Sequence, residues 1–189
     1  GPPHTPQSCH SYRHYRCANF RRLVSKNVSH LGFMALLSDL PILRETIQRS
    51  GKQCSIDDWS YETWAAIIPE VGTRENCAYL MVKRLLASRN QKALPQAVLS
   101  SDDTAARGVI IALHEEGWRV GRDLQMITAA NLGSPVLLPY AGSIIQVAFD
   151  PVEIVAALFR MLEALMSGQK PVENPVRIAP HLIESPCAG

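Results

Sequence analysis

Hydrophobic residues follow two patterns that alternate along this chain. Short apolar runs have the length of β-strands, and they lie at residues 30–37, 96–100, 124–128, 144–147 and 176–183. Other segments carry apolar residues at the three- and four-residue spacing of amphipathic helices. With their caps, these segments are residues 12–26, 38–49, 73–87, 101–116 and 150–167. Strands that alternate with helices of this length predict βαβ units, hence an α/β fold with a parallel sheet flanked by helices.

Cap residues define more precisely where two of these helices begin. Ser101 and Asp102 precede the fourth helical segment, and Asp150 and Pro151 open the fifth, with the aspartate as the cap and the proline in the first helical position. Aspartate side chains accept hydrogen bonds from the first free backbone N–H groups of a helix. We therefore expect both helices to begin sharply at these positions.

Two segments are harder to interpret. Residues 52–70 have no regular hydrophobic period, although Trp59, Tyr61 and Trp64 cluster there, and we expect a short helix or a loop. The last apolar run contains Pro180, which lacks a backbone N–H and therefore indicates an edge strand or a bend.

Composition excludes several classes of protein. The 189 residues are 47% hydrophobic and 19% charged, which is enough apolar surface for a folded core and excludes a disordered chain. A net charge of +2 gives no electrostatic signature of nucleic-acid binding. The uncharged stretch 124–149 is interrupted by Gly133, Pro135, Pro139 and Gly142, so it does not predict a membrane-spanning helix. These observations predict a soluble, cytoplasmic protein that does not contact a membrane.

The chain carries none of the common cofactor or catalytic motifs. It has no dinucleotide-binding glycine pattern, phosphate-binding loop, nucleophile elbow or zinc-protease helix. Its five cysteines are odd in number and widely spaced, which favours free thiols. His4, His10 and His14 could pair with Cys9 or Cys17 on a metal, but no spacing fixes such a site. We therefore predict no metal and no cofactor.

Candidate binding residues follow from the expected sheet. Ligands of parallel α/β sheets bind beyond the carboxyl ends of the strands, which points to residues 37–39, 100–103 and 128–133. In the second of these, Ser101 and Asp102 have two interpretations. They are good helix caps, and they also offer a hydroxyl and a carboxylate that could bind the hydroxyl groups of a sugar or nucleoside.

Residues from about 12 to 185 resemble the effector-binding core of the lac repressor and galactose repressor family of bacterial transcription regulators. The strongest stretch, residues 95–126, is similar to that family's strand, Asn-Asp turn, helix with an Ala-x-Gly element, and acidic-x-Gly passage into the next strand. Residues 143–185 resemble the family's last strands and long helix, with the closing Glu-Ser. Residues 27–33 are similar to the Gly-His segment that leads into a strand, although Asn27 and Val28 replace Gly-His.

This resemblance implies a periplasmic-binding-protein type I fold with two subdomains around a cleft. Residues 12–142 with 171–186 would form a carboxy-terminal subdomain that is nearly whole. Residues 143–170 would be the crossover strand and helix of the amino-terminal subdomain, most of which is missing. The family's DNA-binding segment is missing as well, so any contact with DNA would be made by a segment that this chain lacks.

The family's effector-binding residues carry over only in part. Arg44 lies where an effector-binding arginine is usual, but Ile47 replaces the glycine expected three residues later. Asp102 stands at the asparagine of the Asn-Asp turn, and Asn131 is the polar residue left after the strand predicted at residues 124–128. Ala130 takes the place of a carboxylate expected to bind a sugar hydroxyl. The resemblance thus implies Arg44, Ser101, Asp102 and Asn131 as ligand-binding residues, for an effector that differs from a simple sugar or for a site that has lost binding.

Three functions remain open at this point. The first is the effector-binding and dimerisation portion of a transcription regulator, a non-enzymatic protein that binds a sugar or a similar small polar molecule and forms a homodimer. The second is a solute-binding protein of a transport system, which the absence of a signal-peptide pattern at the start of the sequence disfavours. The third is a small enzyme that uses Asp102 or Asp103 as its acid or base.

Two features bear on partners. The apolar face of the helix over residues 151–167 would normally cover a sheet that this chain lacks, so we expect it to mediate oligomerisation or to lower solubility. Trp59, Trp64 and Trp118 are either dimer contacts or core residues.

Overall fold

The fold is given by a computed structural model of the chain, which describes residues 28–35, 37–65, 72–88, 94–169 and 176–184. The helix predicted over residues 12–26 and the histidines near the amino end lie outside these residues. Six strands form one sheet, and they are β1 (His30–Met34), β2 (Ser55–Asp58), β3 (Ala97–Ser100), β4 (Gln125–Asn131), β5 (Ile145–Phe149) and β6 (His181–Ile183).

The strand order across the sheet is β2-β1-β3-β4-β5-β6. The first five strands are parallel, as predicted, whereas β6 pairs with β5 in the antiparallel direction. β5 continues this sheet because Ile145–Phe149 pairs with Ile127–Asn131 of β4. The proposed division of the chain at residues 143 and 170 stays a prediction.

Five helices accompany the sheet in the described part of the chain. They are α1 (Leu40–Arg49), α2 (Tyr61–Ala65), α3 (Arg74–Ser88), α4 (Asp103–Glu115) and α5 (Pro151–Met166), with 3₁₀ turns at Leu37–Asp39 and Pro135–Tyr140. The four long helices lie where the amphipathic pattern predicts them. As expected, Asp102 caps α4 and Asp150 caps α5.

Each face of the sheet carries one apolar cluster. On one face, α3 and α4 pack against alternate residues of β3 and β4, among them Val98 and Met126. On the other face, α1 packs through Leu40, Leu43 and Ile47 against a second set of strand residues. Because both faces are covered, every residue of β3 is buried.

The expectation of a short helix or a loop over residues 52–70 is incomplete, and residues 66–70 lie outside the described part of the chain. A strand, β2, forms there in addition to the short helix α2. β2 is the edge of the sheet, and its sequence Ser-Ile-Asp-Asp has one apolar residue. An edge strand that is half exposed needs little apolar surface, so it leaves no hydrophobic run in the sequence.

The last strand is shorter than predicted, and it covers only His181–Ile183 rather than residues 176–183. Its place at the edge of the sheet agrees with the expectation from Pro180. Of the three tryptophans, Trp59 is a core residue, and Trp64 and Trp118 are partly buried. Trp59 is 2% exposed, and Trp64 and Trp118 pack against the same cluster.

Candidate functional site

The carboxyl ends of four parallel strands lie side by side along one edge of the sheet. Phe33 of β1 is in register with Asp58 of β2, and Met34 is in register with Ser100 of β3. Ser100 is in turn opposite Thr128 of β4. The loops that follow these strands therefore meet at this edge, which we call the carboxyl edge.

Asp102 is held in place by bonds to its own helix and to α3. Its Oδ1 accepts hydrogen bonds from the backbone N–H of Thr104 at 2.9 Å and of Ala105 at 3.0 Å, and also from the Thr104 hydroxyl. Its Oδ2 accepts a hydrogen bond from Nη1 of Arg74 at 2.9 Å. Asp102 can act as a helix cap and still accept a hydrogen bond from a ligand, because a carboxylate has about four lone-pair sites.

Asp102 is ionised at neutral pH. Burial alone would raise its pKa, but hydrogen bonds from Thr104 and Ala105, together with the charge and hydrogen bond of Arg74, lower the pKa below its ordinary value. The site therefore presents a fixed negative charge with a cationic neighbour. Such a pair can accept a hydrogen bond from one hydroxyl group of a ligand and donate to another.

Hydroxyl groups brace the turn before α4. The Ser100 hydroxyl donates to the backbone oxygen of Asp102 at 2.9 Å, and the Thr128 hydroxyl lies 3.3 Å from the same oxygen. The backbone N–H of Ser101 donates to Met34 at 3.1 Å, which ties the turn to β1. These contacts fix the position of Ser101, whose side chain is half-buried at the carboxyl edge.

β4 ends in one polar and one apolar residue at this edge. Asn131, the last residue of β4, is exposed. Ala130 is 7% exposed and belongs to the apolar cluster that also contains Leu137 and Ile144. The position at which the family resemblance implies a carboxylate is thus filled by a core methyl group, as the sequence indicates.

Two further carboxylates lie at the carboxyl edge. Asp39 falls within the predicted region 37–39 but was not singled out as a ligand-binding residue, and Asp58 lies outside all three predicted regions. Asp39 follows β1 and is 2% exposed, and its Oδ1 accepts a hydrogen bond from the Ser38 hydroxyl at 3.2 Å. Asp58 ends β2, and its two oxygens accept from the Ser60 backbone N–H at 2.8 Å and from the Thr63 hydroxyl at 3.0 Å. Asp58 could not be assigned from the sequence because β2 itself was not predicted.

The pKa of Asp58 is also below its ordinary value. Burial would raise it, but hydrogen bonds from Ser60 and Thr63 and the nearby charge of Arg44 outweigh that effect. The carboxyl edge therefore carries at least two ionised carboxylates at neutral pH, Asp58 and Asp102.

Arg44 is placed apart from the other three predicted residues. It lies on the exposed side of α1 and lines a groove between α1 and β2 together with residues from the amino ends of β1 and β2. Its charge reaches Asp58. The structure brings Ser101, Asp102 and Asn131 to one edge of the sheet, whereas Arg44 lines the groove between α1 and β2.

The described residues contain no group of three or more His, Cys, Asp or Glu side chains arranged to hold a metal ion. Cys54 and Cys77 are free thiols. Within the same part of the chain, no helix combines the length and the apolar character that crossing a membrane requires.

Comparison with known proteins agrees with this architecture. Residues 22–184 match the family described as periplasmic binding protein-like domain. Over 95 residues the chain is 36% identical to catabolite control protein A of Staphylococcus epidermidis, and this stretch is 50% of the chain and 28% of that protein.

Solved structures of bacterial regulators share the fold. A LacI family transcriptional regulator from Arthrobacter sp. FB24 in complex with lactose superposes with a TM-score of 0.66 at 20% identity, over 91% of this chain and 61% of that one. A LacI-family regulator from Corynebacterium glutamicum gives a TM-score of 0.67 at 18% identity, over 93% and 64% of the two chains. The chain thus spans less than two thirds of the length of these relatives. Because the family match covers most of its residues, the chain belongs to the periplasmic binding protein-like domain family, and its resemblance to the effector-binding core of the lac repressor and galactose repressor type is confirmed.

Proposed function

We propose that this chain is the effector-binding portion of a bacterial transcription regulator and that it binds a sugar or a similar small polar molecule at the carboxyl edge. The observation that carries this proposal is the meeting of three different polar groups there. Ser101 offers a hydroxyl, Asp102 an ionised carboxylate and Asn131 an amide, on the loops after β3 and β4. Ligands of parallel α/β sheets bind at this position.

Sugar recognition suits this set of groups. Each sugar hydroxyl both donates and accepts hydrogen bonds, so a binding site needs acceptors and donors side by side. Asp102 supplies acceptors, while the Asn131 amide and the Arg74 guanidinium beside Asp102 supply donors. The lactose bound by the Arthrobacter regulator supports a sugar as the ligand class here.

Ala130 limits how tightly such a ligand binds. A carboxylate that accepts a hydrogen bond from a ligand contributes about 1.5–3 kcal/mol, and the methyl group of Ala130 offers no acceptor. We therefore expect an effector whose hydroxyl pattern does not need an acceptor at that position. If no ligand binds, the chain is a remnant that keeps the fold without the sensing function.

An enzymatic role is not supported by the acidic residues. A general acid needs a pKa near the working pH, whereas the pKa of Asp102 is lowered. The Asp103 carboxylate accepts a hydrogen bond from the Ser134 hydroxyl at 2.7 Å, which ties α4 to the loop after β4. Both residues have structural roles, so we propose a non-enzymatic, cytoplasmic regulator in which DNA is contacted by a separate segment.

We propose that the chain forms a homodimer, and α5 provides the surface that favours association. Seven large apolar side chains of α5 are between 48% and 80% exposed, and they are Val152, Val155, Leu158, Phe159, Leu162, Leu165 and Met166. An apolar surface of this size marks a protein contact or an aggregation risk. Light scattering should show a dimer or larger species that the Leu158→Glu substitution dissociates, and a monomeric wild type would contradict this part of the proposal.

A thermal-shift screen tests the central proposal. The chain would be heated with pentoses, hexoses, their phosphates and nucleobases, and a compound that binds the folded state raises the melting temperature. We expect a neutral sugar to do so, and we expect the shift to shrink in Asn131→Ala and Ser101→Ala. Ser88→Ala, at the end of α3, is the matched control that should keep the full shift. Equal shifts in all variants, or a cooperative melt that no compound moves, would contradict binding at the carboxyl edge.

A further inference from the structure

The loop after β4 is closed into a tight turn beside the start of α4. The backbone N–H of Ser134 donates a hydrogen bond to the backbone oxygen of Asn131 at 3.0 Å. Gly133, inside this turn, has a φ of 77°, a conformation that residues with a side chain rarely adopt. The N–H of Leu132 donates to the backbone oxygen of Phe149 in β5 at 2.7 Å. The backbone that follows Asn131 is therefore fixed by its own turn and by the neighbouring strand.

The Ser134 side chain connects this turn to α4. Its hydroxyl donates a hydrogen bond to Oδ2 of Asp103, the first residue of α4, at 2.7 Å. The same oxygen accepts from the backbone N–H of Val136 at 3.4 Å, at the start of the 3₁₀ turn Pro135–Tyr140. A hydroxyl that donates to a carboxylate forms a short, charge-assisted hydrogen bond. Ser134 therefore holds the end of β4 at a set distance from the start of α4.

This contact joins the two loops that carry the proposed effector-binding residues. Asp103 directly follows Asp102 along the chain, and Ser134 closes the turn that begins at Asn131. Asp102 is fixed by backbone N–H groups of α4, so a shift of the turn relative to α4 would move Asn131 relative to Asp102. The two side chains can bind hydroxyl groups of one ligand only at a suitable separation, because hydrogen bonds need donor–acceptor distances of about 2.5–3.2 Å.

We propose that the hydrogen bond between Ser134 and Asp103 positions Asn131 for the effector. This inference rests on the proposed function and adds to it two positioning residues, which act through Asn131 rather than on the ligand. An effector that uses both Asn131 and Asp102 depends on the contact, whereas the fold does not. Leu137, which is 0% exposed, holds the same 3₁₀ turn in the apolar cluster that contains residues of α3 and α4.

Affinities for lactose, ribose and galactose, measured by isothermal titration calorimetry, test this role. Ser134→Ala should weaken binding of a sugar that binds the wild type about tenfold, the size of effect that one hydrogen bond to a charged group has. Its urea midpoint should stay close to that of the wild type. Ser134→Thr keeps the hydroxyl and should restore most of the affinity. The matched control is Ser88→Ala, which removes a hydroxyl bonded to Leu85 at the end of α3 and should leave the affinity unchanged.

A double-mutant cycle distinguishes positioning from a merely structural role. If Ser134 acts through Asn131, Ser134→Ala should weaken binding no further in a chain that already carries Asn131→Ala. Asp103→Ala should reproduce the loss seen in Ser134→Ala, and the two together should lose no more than either alone.

Additive losses from Ser134→Ala and Asn131→Ala would overturn the proposal, as would full affinity in Ser134→Ala or no rescue by Ser134→Thr. Each of these results leaves the proposed function standing, because a sugar still binds the wild type. If none of the three sugars binds the wild type, the result counts against the proposed function and overturns the positioning role with it.

Discussion

Helices α4 and α5 begin in the same way, but they differ in how much of their surface is buried. Each begins at an aspartate that caps it, Asp102 for α4 and Asp150 for α5, and each has a strongly apolar sequence. In α4, seven of thirteen residues are buried, whereas in α5 the only buried residue of sixteen is Ala157. An amphipathic pattern thus shows that a helix has an apolar face, and it does not show what covers that face.

The cause of this difference lies in the partners of each helix. Residue Gly108 lets the backbone of α4 come close to α3, and the sheet covers the rest of its apolar face. No element of the described chain covers the corresponding face of α5. Apolar surface removed from water stabilises α4 by about 25 cal/mol per Å². Helix α5, with Ala157 as its one buried residue, gains far less from burial within the described chain.

The largest contrast in stability should come from replacing one leucine of each helix with alanine. Leu113 of α4 is 0% exposed and Leu158 of α5 is 60% exposed. Leu113→Ala removes core contacts and leaves a cavity, so we expect a loss of about 2–5 kcal/mol in the free energy of unfolding. Leu158→Ala should change it by less than about 0.5 kcal/mol in protein dilute enough for the proposed dimer to dissociate. Urea unfolding of both variants measures this, and similar losses would show that α5 is covered.

Gly108→Ala tests the close contact between α4 and α3. A Cβ at this position would lie 2.2 Å from the backbone oxygen of Glu75, which no side-chain movement relieves. We expect a net loss of about 2 kcal/mol, because overpacking costs about 3 kcal/mol and alanine regains about 1 kcal/mol in helix propensity. The control is Gly72→Ala, whose Cβ would meet nothing within 4 Å. A stabilised Gly108→Ala variant would rule out this contact.

Removal of the two helix caps should produce a smaller difference in stability than the substitutions above. Asp102 caps a helix that is part of the core and also binds Arg74, so Asp102→Ala should lower the free energy of unfolding by about 1–2 kcal/mol. Asp102→Asn keeps the cap and should recover most of that loss. Asp150→Ala should fray the start of α5, which circular dichroism detects, and leave the midpoint of global unfolding in urea nearly unchanged. A larger effect at Asp150 would reverse the comparison.

The smallest effect is on the pH dependence of stability. The pKa of Asp102 is lowered in the folded state, so its contribution is present above the unfolded value of about 4 and is lost as the pH falls through the folded pKa. The wild type should therefore lose its advantage over Asp102→Asn below about pH 4. Urea midpoints of the two proteins at a series of pH values test this. A difference that grows toward acid would have the wrong sign.

Local chemistry explains what could be predicted from the sequence. The buried strands and the capped helices were predictable because apolar runs and aspartate caps act over a few residues, as at Ser100–Asp103. β2 was missed because an edge strand with one apolar residue leaves no hydrophobic pattern. The antiparallel direction of β6 depends on long-range pairing with β5, which no local pattern encodes.

The residues of the candidate site could be placed from the sequence only where they follow a strand with a local hydrophobic pattern. Ser101, Asp102 and Asn131 follow strands that the sequence revealed, so their common place at the carboxyl edge could be anticipated. Asp58 depends on the missed strand. Arg44 was assigned by resemblance alone, and its place in the groove between α1 and β2 is set by tertiary structure, which no local pattern encodes.

Amide chemical-shift mapping with a neutral sugar tests the central claim most directly. The ¹⁵N-labelled chain is titrated with the sugar that gives the largest thermal shift, or with a mixture of pentoses and hexoses if none does. We expect the responding amides to be those of residues 101–104 and 131–134, at the carboxyl ends of β3 and β4. Responses confined to other parts of the chain, or none at any sugar concentration, would contradict an effector site at this edge.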